Sequence, residues 1–460
     1  MAEGFVRNSQ KSFKSLICYN TIEVFKMTII ALDKKRKIKE SLKKTKEKRK
    51  NQIPKVYKLK ISCSNLNKEQ KHWLERVFLE AKWLYNYTVA DIENRLNPQT
   101  EKIKQVEVKT PQGIETRELT CLSSQMKQGI MDRIKKNLTD LSRAKRKGIK
   151  VGRLKFKSDY RNIPLKQNGI TFKVLKDKNR IKLQGLKKPL RVLGLHQLPE
   201  NCDIAKAELI KRPDGYYIHL TCYIDKDRIK HEKINKPIGI DFGIKHQLTL
   251  SNGVKINYRI GETQRLKRLQ KKLSRQQKGS KNYQKTKHKI QREHQKIYNR
   301  RKDIKNKILS LLKRYEYVLI QEEQIKNWHS GLFGKQVQNT GIGGIISMLK
   351  QNIETLIPVD RYKATTKMCS RCGSRKEDIT LSDRTYKCES CGLVIDRDFN
   401  SAVNILKIGL SKVETTTVKN LPTDCGEVTP VEREATARIF KGNPYIRVSY
   451  TSVKQEARLL

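Results

Sequence analysis

From Val56 apolar and polar residues alternate through VYKLKISCS, the period-two pattern of a strand with one buried face. Asn67 then precedes Gln70 by three residues, a capping box that predicts a helix start. The stripe Leu74, Phe78, Ala81, Leu84, Tyr85, Thr88, Ile92, Leu96 carries that helix forward. A second stripe, Leu122, Met126, Ile130, Ile134, Leu138, Leu141, predicts another helix with a basic opposite face, running into the basic loop RAKRKGIKVGRLKFKS. Between 168 and 225 the periodicity shortens. NGITFKVLK, NRIKLQGL, PLRVLGL, AKAELIKR and YYIHLTCYI read as short strands divided by Gly, Pro and Asp, with Pro213-Asp214-Gly215 a hairpin turn. Strands at this spacing predict a small barrel, and the strand near Tyr57 fits the same sheet with the helices inserted. KPIGIDFGIKHQLTLSNG adds two strands joined by a tight turn, and residues 265–307 predict a long helix that Gly279-Ser280 breaks into two arms.

Charge changes the picture from fold to partner. The 460 residues hold 101 Lys and Arg against 46 Asp and Glu, a net charge of +55. The two-armed helix alone carries eighteen basic residues against two acidic ones, and residues 34–50 carry eleven against two. A chain that repels itself this strongly calls for a polyanion: RNA or DNA first, an anionic membrane surface a distant second. The 34–50 run reads as a solvated segment, mobile until it meets phosphate. Met27 reads as an alternative start. The first 26 residues lack the apolar core of a signal peptide, and Met27 to Leu32 is too short to span a bilayer, which argues against a secreted or membrane-embedded protein. The length predicts about three domains.

Two constellations carry chemistry. Cys369-x-x-Cys372 and Cys388-x-x-Cys391, fifteen residues apart, have the spacing of a tetrahedral structural Zn²⁺ site with no open position. The other six cysteines show no pairing pattern. The second constellation is acidic: Asp241 inside the apolar strand PIGIDFGI, Glu322 and Glu323 at the exit of YVLIQEE, and Asp396 and Asp398 where VIDRDFNSAVNIL turns from strand to helix. Any one of these could be a helix cap or a surface ion pair. Three at strand ends in one basic chain suit a Mg²⁺ or Mn²⁺ site, and a pair of such ions about 4 Å apart cleaves phosphodiesters. No Walker A sequence and no HExxH or HxH site competes with that reading.

Taken together, GIDFGIKHQLTLSNG, LIQEEQIKNWHSGLFGKQVQ and TTKMCSRCG…YKCESCGLVIDRDFNSAVNIL resemble TnpB. That family comprises the RNA-guided nucleases of insertion sequences, relatives of compact type V CRISPR effectors. WLERVFLEAKWLYNYTV, GLKKPLRVLGLHQLP and CGEVTPVEREATAR extend the resemblance over roughly 55–440. It implies a multidomain α+β architecture. An RNase H-like RuvC nuclease domain would span 231–365 and 393–411, with a four-Cys zinc ribbon at 366–392. A wedge β-barrel would span 56–66 and 168–230, and a helical recognition lobe 67–167. A basic extension at 1–55, which departs from the family pattern, and a flexible C-terminal tail at 412–460 complete the chain. By the family motifs the catalytic, Mg²⁺-binding acids are Asp241, Glu323 rather than Glu322, and Asp398 rather than Asp396. The zinc ligands are Cys369, Cys372, Cys388 and Cys391. The implied activity is Mg²⁺-dependent cutting of double-stranded DNA beside a short target-adjacent motif, directed by a transposon-derived guide RNA in the prokaryotic cytoplasm at the nucleoid. A CRISPR-type effector with a repeat-derived guide and a non-cleaving RNA-guided repressor are the alternatives, and a DNA-strand transposase is the weakest reading. The family implies no membrane partner.

Overall fold

In the computed structural model the described residues are 33, 36, 37, 39–96, 99–200, 202–226, 234–258, 260–330, 334–380, 382–411 and 428–451. The chain divides into two compact units, residues 1–229 and 230–460.

The first unit is a barrel-like sheet with two long helices. β1 (Gln52–Ile61) leads into α1 (Lys68–Ala90), which starts as the pattern predicts. Asn67 Oδ1 accepts from Gln70 N (2.7 Å) and Gln70 Oε1 accepts from Asn67 N (3.1 Å). A hairpin of β2 (Gln105–Thr110) and β3 (Gly113–Glu118) follows, then α2 (Ser124–Arg146). Next come β4 (Asn162–Leu165), β5 (Phe172–Leu175), β6 (Arg180–Leu183), β7 (Leu190–Leu193), β8 (Asp203–Arg212) and β9 (Gly215–Asp225). The sheet order is β4-β8-β9-β1-β7-β6-β5, so the opening strand does lie in the sheet of the later strands, between β9 and β7. Arg212 faces Gly215 across the Pro213-Asp214 turn, and Gly215 holds φ at +131°, where a side chain would be strained. Leu74, Ala81, Leu84, Ile130 and Ile134 from the two helical stripes are fully buried in one core with Ile61, Ile163 and Leu209 from the sheet.

Three sequence boundaries shift here. The stretch 67–167 is not wholly helical: it holds the β2–β3 hairpin and β4, which pairs with β8. The hairpin strands QVEVKT and GIETRE alternate, but their outward positions are so polar that the strand period is faint. The N-terminal extension ends sooner than residue 55, because β1 begins at Gln52, and residues 39–50, expected as a mobile run, are helical and largely exposed. Its first 32 residues, including Met27, lie outside the described residues.

The second unit is built on β10 (Ile238–Phe242), β11 (Leu248–Leu250), β12 (Val254–Tyr258), α3 (Gln264–Ser274), α4 (Lys281–Leu312), β13 (Val318–Gln321), α5 (Ile342–Asn352) and β14 (Leu356–Val359). β15 (Thr385–Lys387), β16 (Val394–Asp396), α6 (Arg397–Ser411), α7 (Pro430–Phe440) and β17 (Ile446–Tyr450) complete it. Its main sheet runs β14-β13-β10-β11-β12-β17. β10, β13 and β14 are parallel, whereas β11, β12 and β17 add on antiparallel. Three consecutive antiparallel strands flanked by two parallel ones is the RNase H-like arrangement of RuvC nuclease domains. The basic helix does break where expected: Gly279 has φ +88° and Ser280 caps α4 through Tyr283 N (3.1 Å). Among the described residues no helix is long and apolar enough to cross a membrane.

The flexible tail is corrected. Thr429 caps α7, with Glu432 closing a reciprocal capping box and Pro430 in the first turn. β17 then pairs with β12 over five residues, from Val254↔Tyr450 to Tyr258↔Ile446. The physical reason is an edge: without β17, β12 would expose a row of unpaired N–H and C=O groups. Residues 412–427 and 452–460 lie outside the described residues.

Candidate active site and metal centre

Asp241 sits on β10, opposite Thr249 of β11, with Ile240 and Phe242 buried on either side. Glu323 follows the end of β13 by two residues, and Asp398 is the second residue of α6. β10 and β13 are hydrogen-bonded neighbours, and α6 packs directly over β10. That packing depends on Gly239: a Cβ there would stand 2.4 Å from Ala402 O and 2.9 Å from Leu406 N. The three acids, 157 residues apart at the extremes, therefore line one cavity of about 870 Å³.

The neighbouring acids take other duties. Glu322 is exposed and lies 3.9 Å from Lys350. Asp396 caps α6, accepting from Phe399 N (3.0 Å), and pairs with the buried Lys255 at 2.6 Å. Neither lines the cavity. In each ambiguous pair, the member chosen from the family motif is the one that faces the cavity.

Burial pushes the Asp241 carboxyl up to about 8, and the negative charges of Asp398 and Glu323 add to the effect. Ser401 Oγ donates to Asp241 Oδ1 (3.1 Å) and opposes it. Burial also raises Glu323. The charges of Asp398 and Glu323 acting on the buried Asp241 favour a bound cation there.

Several residues here carried no sequence signal. Thr365 Oγ1, 3.2 Å from Ser401 Oγ, donates to Gln321 Oε1 (2.8 Å), and Gln321 Nε2 donates to Lys363 O (2.9 Å). Ser401, Thr365 and Gln321 are all buried. Arg397 donates to Thr380 O (2.9 Å) and lies 3.5 Å from Asp398. Lys245, Lys367, Arg384 and Arg397 place cations on the cavity wall. Only a short polar residue buried on the acid-bearing helix, as in DFNSAVN, could have hinted at Ser401.

The four cysteines converge in a separate knot. Their sulfurs all lie within 4.8 Å of one another, with Cys369–Cys391 at 3.6 Å and Cys372–Cys388 at 3.5 Å. Each CxxC is followed by a glycine in the left-handed region, Gly373 at +79° and Gly392 at +69°, whose N–H donates to the first cysteine's carbonyl (3.0 Å each). The turn thus aims both thiols inward, and a tetrahedron with metal–sulfur bonds of about 2.3 Å has edges near these separations. Among the described residues this is the only such tight cluster of candidate ligands; the three carboxylates are spread more widely. The β15–β16 hairpin carries the second knuckle, so the ribbon's pairing runs on to Asp396 rather than stopping at 392. Asn400 Nδ2 donates to Met368 O (2.7 Å), Asn404 Nδ2 to Met368 O (2.6 Å), and Lys407 Nζ to Ser370 O (2.6 Å). The helix bearing Asp398 is thereby bolted to the first knuckle.

Parts of the chain are similar to known proteins. Residues 219–326 match the family model OrfB_IS605, described as "Probable transposase", and residues 345–405 match the Cas12f1-like TNB domain. A protein of Streptomyces pristinaespiralis named "Putative RNA-guided DNA endonuclease" is 25% identical over 279 residues, 58% of this chain and 63% of that protein. TnpB-like proteins of Acanthamoeba polyphaga mimivirus are 53% identical over 55 residues, 12% of this chain and 10% of theirs. In a Cas12f1-sgRNA-target DNA complex, the matched chain is 17% identical, covering 77% of this chain and 99% of that one at a TM-score of 0.41. Strand order, acidic cavity and inserted four-cysteine ribbon together define a RuvC-type chain of multidomain fold. Within that class its matched segments are similar to those of the TnpB-like proteins.

Proposed function

We propose that the chain is an RNA-guided DNA endonuclease that cuts double-stranded DNA beside a short target-adjacent motif by two-metal phosphodiester hydrolysis. The observation that carries this is the convergence of Asp241, Glu323 and Asp398 on one cavity whose wall also holds Lys245, Lys367 and Arg384. The relative named for RNA-guided DNA cleavage supports it, although the chain covers 63% of that protein's length.

The donors fit the ions. Carboxylate oxygens suit Mg²⁺ or Mn²⁺, and Asp241, Glu323 and Asp398 are the residues that would hold them. When bound, such ions supply an activated water and stabilise the leaving oxygen. The chain's own residues do the rest. Ser401 orients the Asp241 carboxylate, Arg397 steadies Asp398, and the wall cations attract the DNA backbone. The four thiols suit a structural Zn²⁺, which would hold the ribbon and, through Asn400 and Asn404, the start of α6.

Guide RNA and target DNA are the partners that fit a charge of +55. Pairing between guide and target would supply sequence specificity while the protein reads backbone and shape. The first unit, with its barrel and helices, takes the wedge and recognition roles in this reading, and a prokaryotic cytoplasm is where it would act.

The test starts with expression alongside native flanking DNA and sequencing of the RNA that copurifies. One structured RNA ending in a variable segment is expected, and that RNA programmes cleavage of a matched plasmid. Asp241→Ala, Glu323→Gln and Asp398→Ala each abolish cutting and leave guide and target binding within about twofold, since they remove no backbone contact. Random cellular RNA, or full cutting by the Asp241→Ala/Asp398→Ala double variant, defeats the reading. Stable target binding without cutting by the intact chain makes it a repressor.

A further inference from the structure

A second cavity, of about 300 Å³, lies in the same unit beside the acidic one, and the proposed function gives it no role. Its walls come from the β10–β11 turn, from β12 and from β17, so it exists only because the C-terminal strand folds back onto the sheet. Lys245 lines both cavities. Asn257 stands directly opposite Arg447 in the strand register, with Gln247 beside them and the Tyr445 ring at the rim. Arg300 covers that ring at 4.2 Å from its centroid.

The polar groups here are not fully used. Gln247 Oε1 accepts from Tyr258 N (2.7 Å). The Tyr258 side chain lies in the apolar core on the other face of β12, whereas Asn257 Oδ1 has no partner. Buried polar atoms are nearly always paired, so the unpaired Asn257 Oδ1 is an acceptor that a group filling the cavity could complete after a small side-chain shift. The fittings narrow its chemistry. Two cations, Lys245 and Arg447, suit a phosphate, and an aromatic ring suits a planar base, whereas the Gln247 carboxamide is held within the chain by Tyr258 N and Ile244 O. The volume sits at the small end of pockets for small ligands, enough for one nucleotide and not for a duplex.

We propose that this cavity receives the nucleotide next to the scissile phosphodiester on the DNA strand being cut. Its phosphate lies between Lys245 and Arg447 and its base against Tyr445 and Asn257. The proposal rests on the endonuclease reading, because Lys245 links the two cavities and the neighbour of a phosphate in the acidic cavity lies one nucleotide away.

The test uses the full chain assembled on its copurified guide. Arg447 is exposed on the outer strand, so Arg447→Ala removes no core contact. Losing one charge-assisted phosphate contact is expected to slow single-turnover cleavage about tenfold, with guide and target binding unchanged. Arg447→Lys restores most of the rate, and Tyr445→Leu shifts or blurs the cut position. In parallel, an Asp241→Asn complex is irradiated with target DNA carrying 5-iododeoxyuridine beside the cleavage position, and the crosslinked peptide is sequenced. Crosslinks to the segments around 257–258 or 444–447 are expected. Cutting by the wild type with both variants unchanged in rate and position overturns the subsite and leaves the endonuclease reading standing. Crosslinks from iodouridine in the guide instead of from DNA overturn it too, making the occupant RNA. If the wild type does not cut, the endonuclease reading fails first. The same labelled DNA then decides the cavity alone, and crosslinks only elsewhere reject it.

Discussion

Replacing Gly239 with alanine tests how tightly the acidic cavity depends on one close approach. The added Cβ would stand 2.4 Å from Ala402 O, 2.9 Å from Leu406 N and 3.0 Å from Leu406 Cβ, where ordinary contact begins at 3.4 Å. Two of those atoms are backbone, so no rotamer relieves the clash and α6 must back away from β10 by about 1 Å. Asp241 lies two residues along that strand and Asp398 at the start of that helix, so the shift separates two of the three carboxylates. Overpacking of this kind costs about 1–3 kcal/mol. At roughly 2–4 °C per kcal/mol for a unit of this size, the melting temperature falls measurably but the protein stays folded at assay temperature. A misplacement of about 1 Å costs on the order of a hundredfold in rate. Gly409→Ala is the control. It lies on the same helix, but its Cβ meets the Leu319 and Val359 side chains at 2.2 and 3.1 Å rather than backbone, so repacking of side chains in place of a helix shift takes up the clash. The helix also regains up to about 1 kcal/mol from losing a glycine. Single-turnover cleavage with matched guide and plasmid, alongside thermal melts, separates the two. A Gly239→Ala protein that melts like the wild type and cuts within about threefold of it refutes the reasoning.

Three further outcomes follow from the same geometry. Lys255→Met leaves Asp396 partly buried without its cation and should cost about 2–3 kcal/mol in chemical unfolding, with Asp396→Asn in the double variant recovering part of the loss. Stripping metal with a strong chelator, or Cys388→Ser, should release about one zinc per chain and loosen α6 along with the ribbon, because Phe399 and Val403 share the ribbon's core; an unchanged melt and no zinc by elemental analysis contradict this. The Asp241 carboxyl, raised to about 8 in the folded chain, favours folding most below the ordinary carboxylate range and loses that contribution as pH rises through about 8. The stabilisation given by added Mg²⁺ should therefore be larger at pH 8.5 than at pH 6, and Asp241→Asn should flatten that difference, as read by thermal shift.

Much of this was legible in the chain because it rests on local signals. The Asn67–Gln70 box, the Gly279-Ser280 break and the Pro213-Asp214 turn are set by residues within four positions of one another. The cysteine knot was equally visible, since CxxC followed by glycine fixes each half of the ligand set locally. The carboxylate cavity was legible as residue types, but sequence alone could not say which of Glu322/Glu323 and Asp396/Asp398 turns inward. That depends on side-chain direction at a strand exit and on which acid the first turn of α6 uses as its cap. What escaped was non-local. Ser401, Thr365 and Gln321 meet only after three separate segments pack. The C-terminal strand has few residues and one buried position, and its partner lies far back in the chain, with Ile446 against Tyr258 and Tyr450 against Val254. Thr429-Pro430-Val431-Glu432 did offer a capping box, a readable sign of a helix in the supposed tail.

The late arrival of β17 also shapes how the second unit comes into being. Its sheet opens at Ile238 and its outermost ladder forms only with Ile446–Tyr450, so that ladder waits until the long segment between them has been made. Joining strands across so long an intervening segment is entropically slow, and until it happens β12 presents a bare edge of the kind that recruits strands from other chains. Once paired, β17 covers that edge with a ladder of five residue pairs. Truncation products ending before Pro430 should accumulate as aggregates rather than as shorter soluble nucleases.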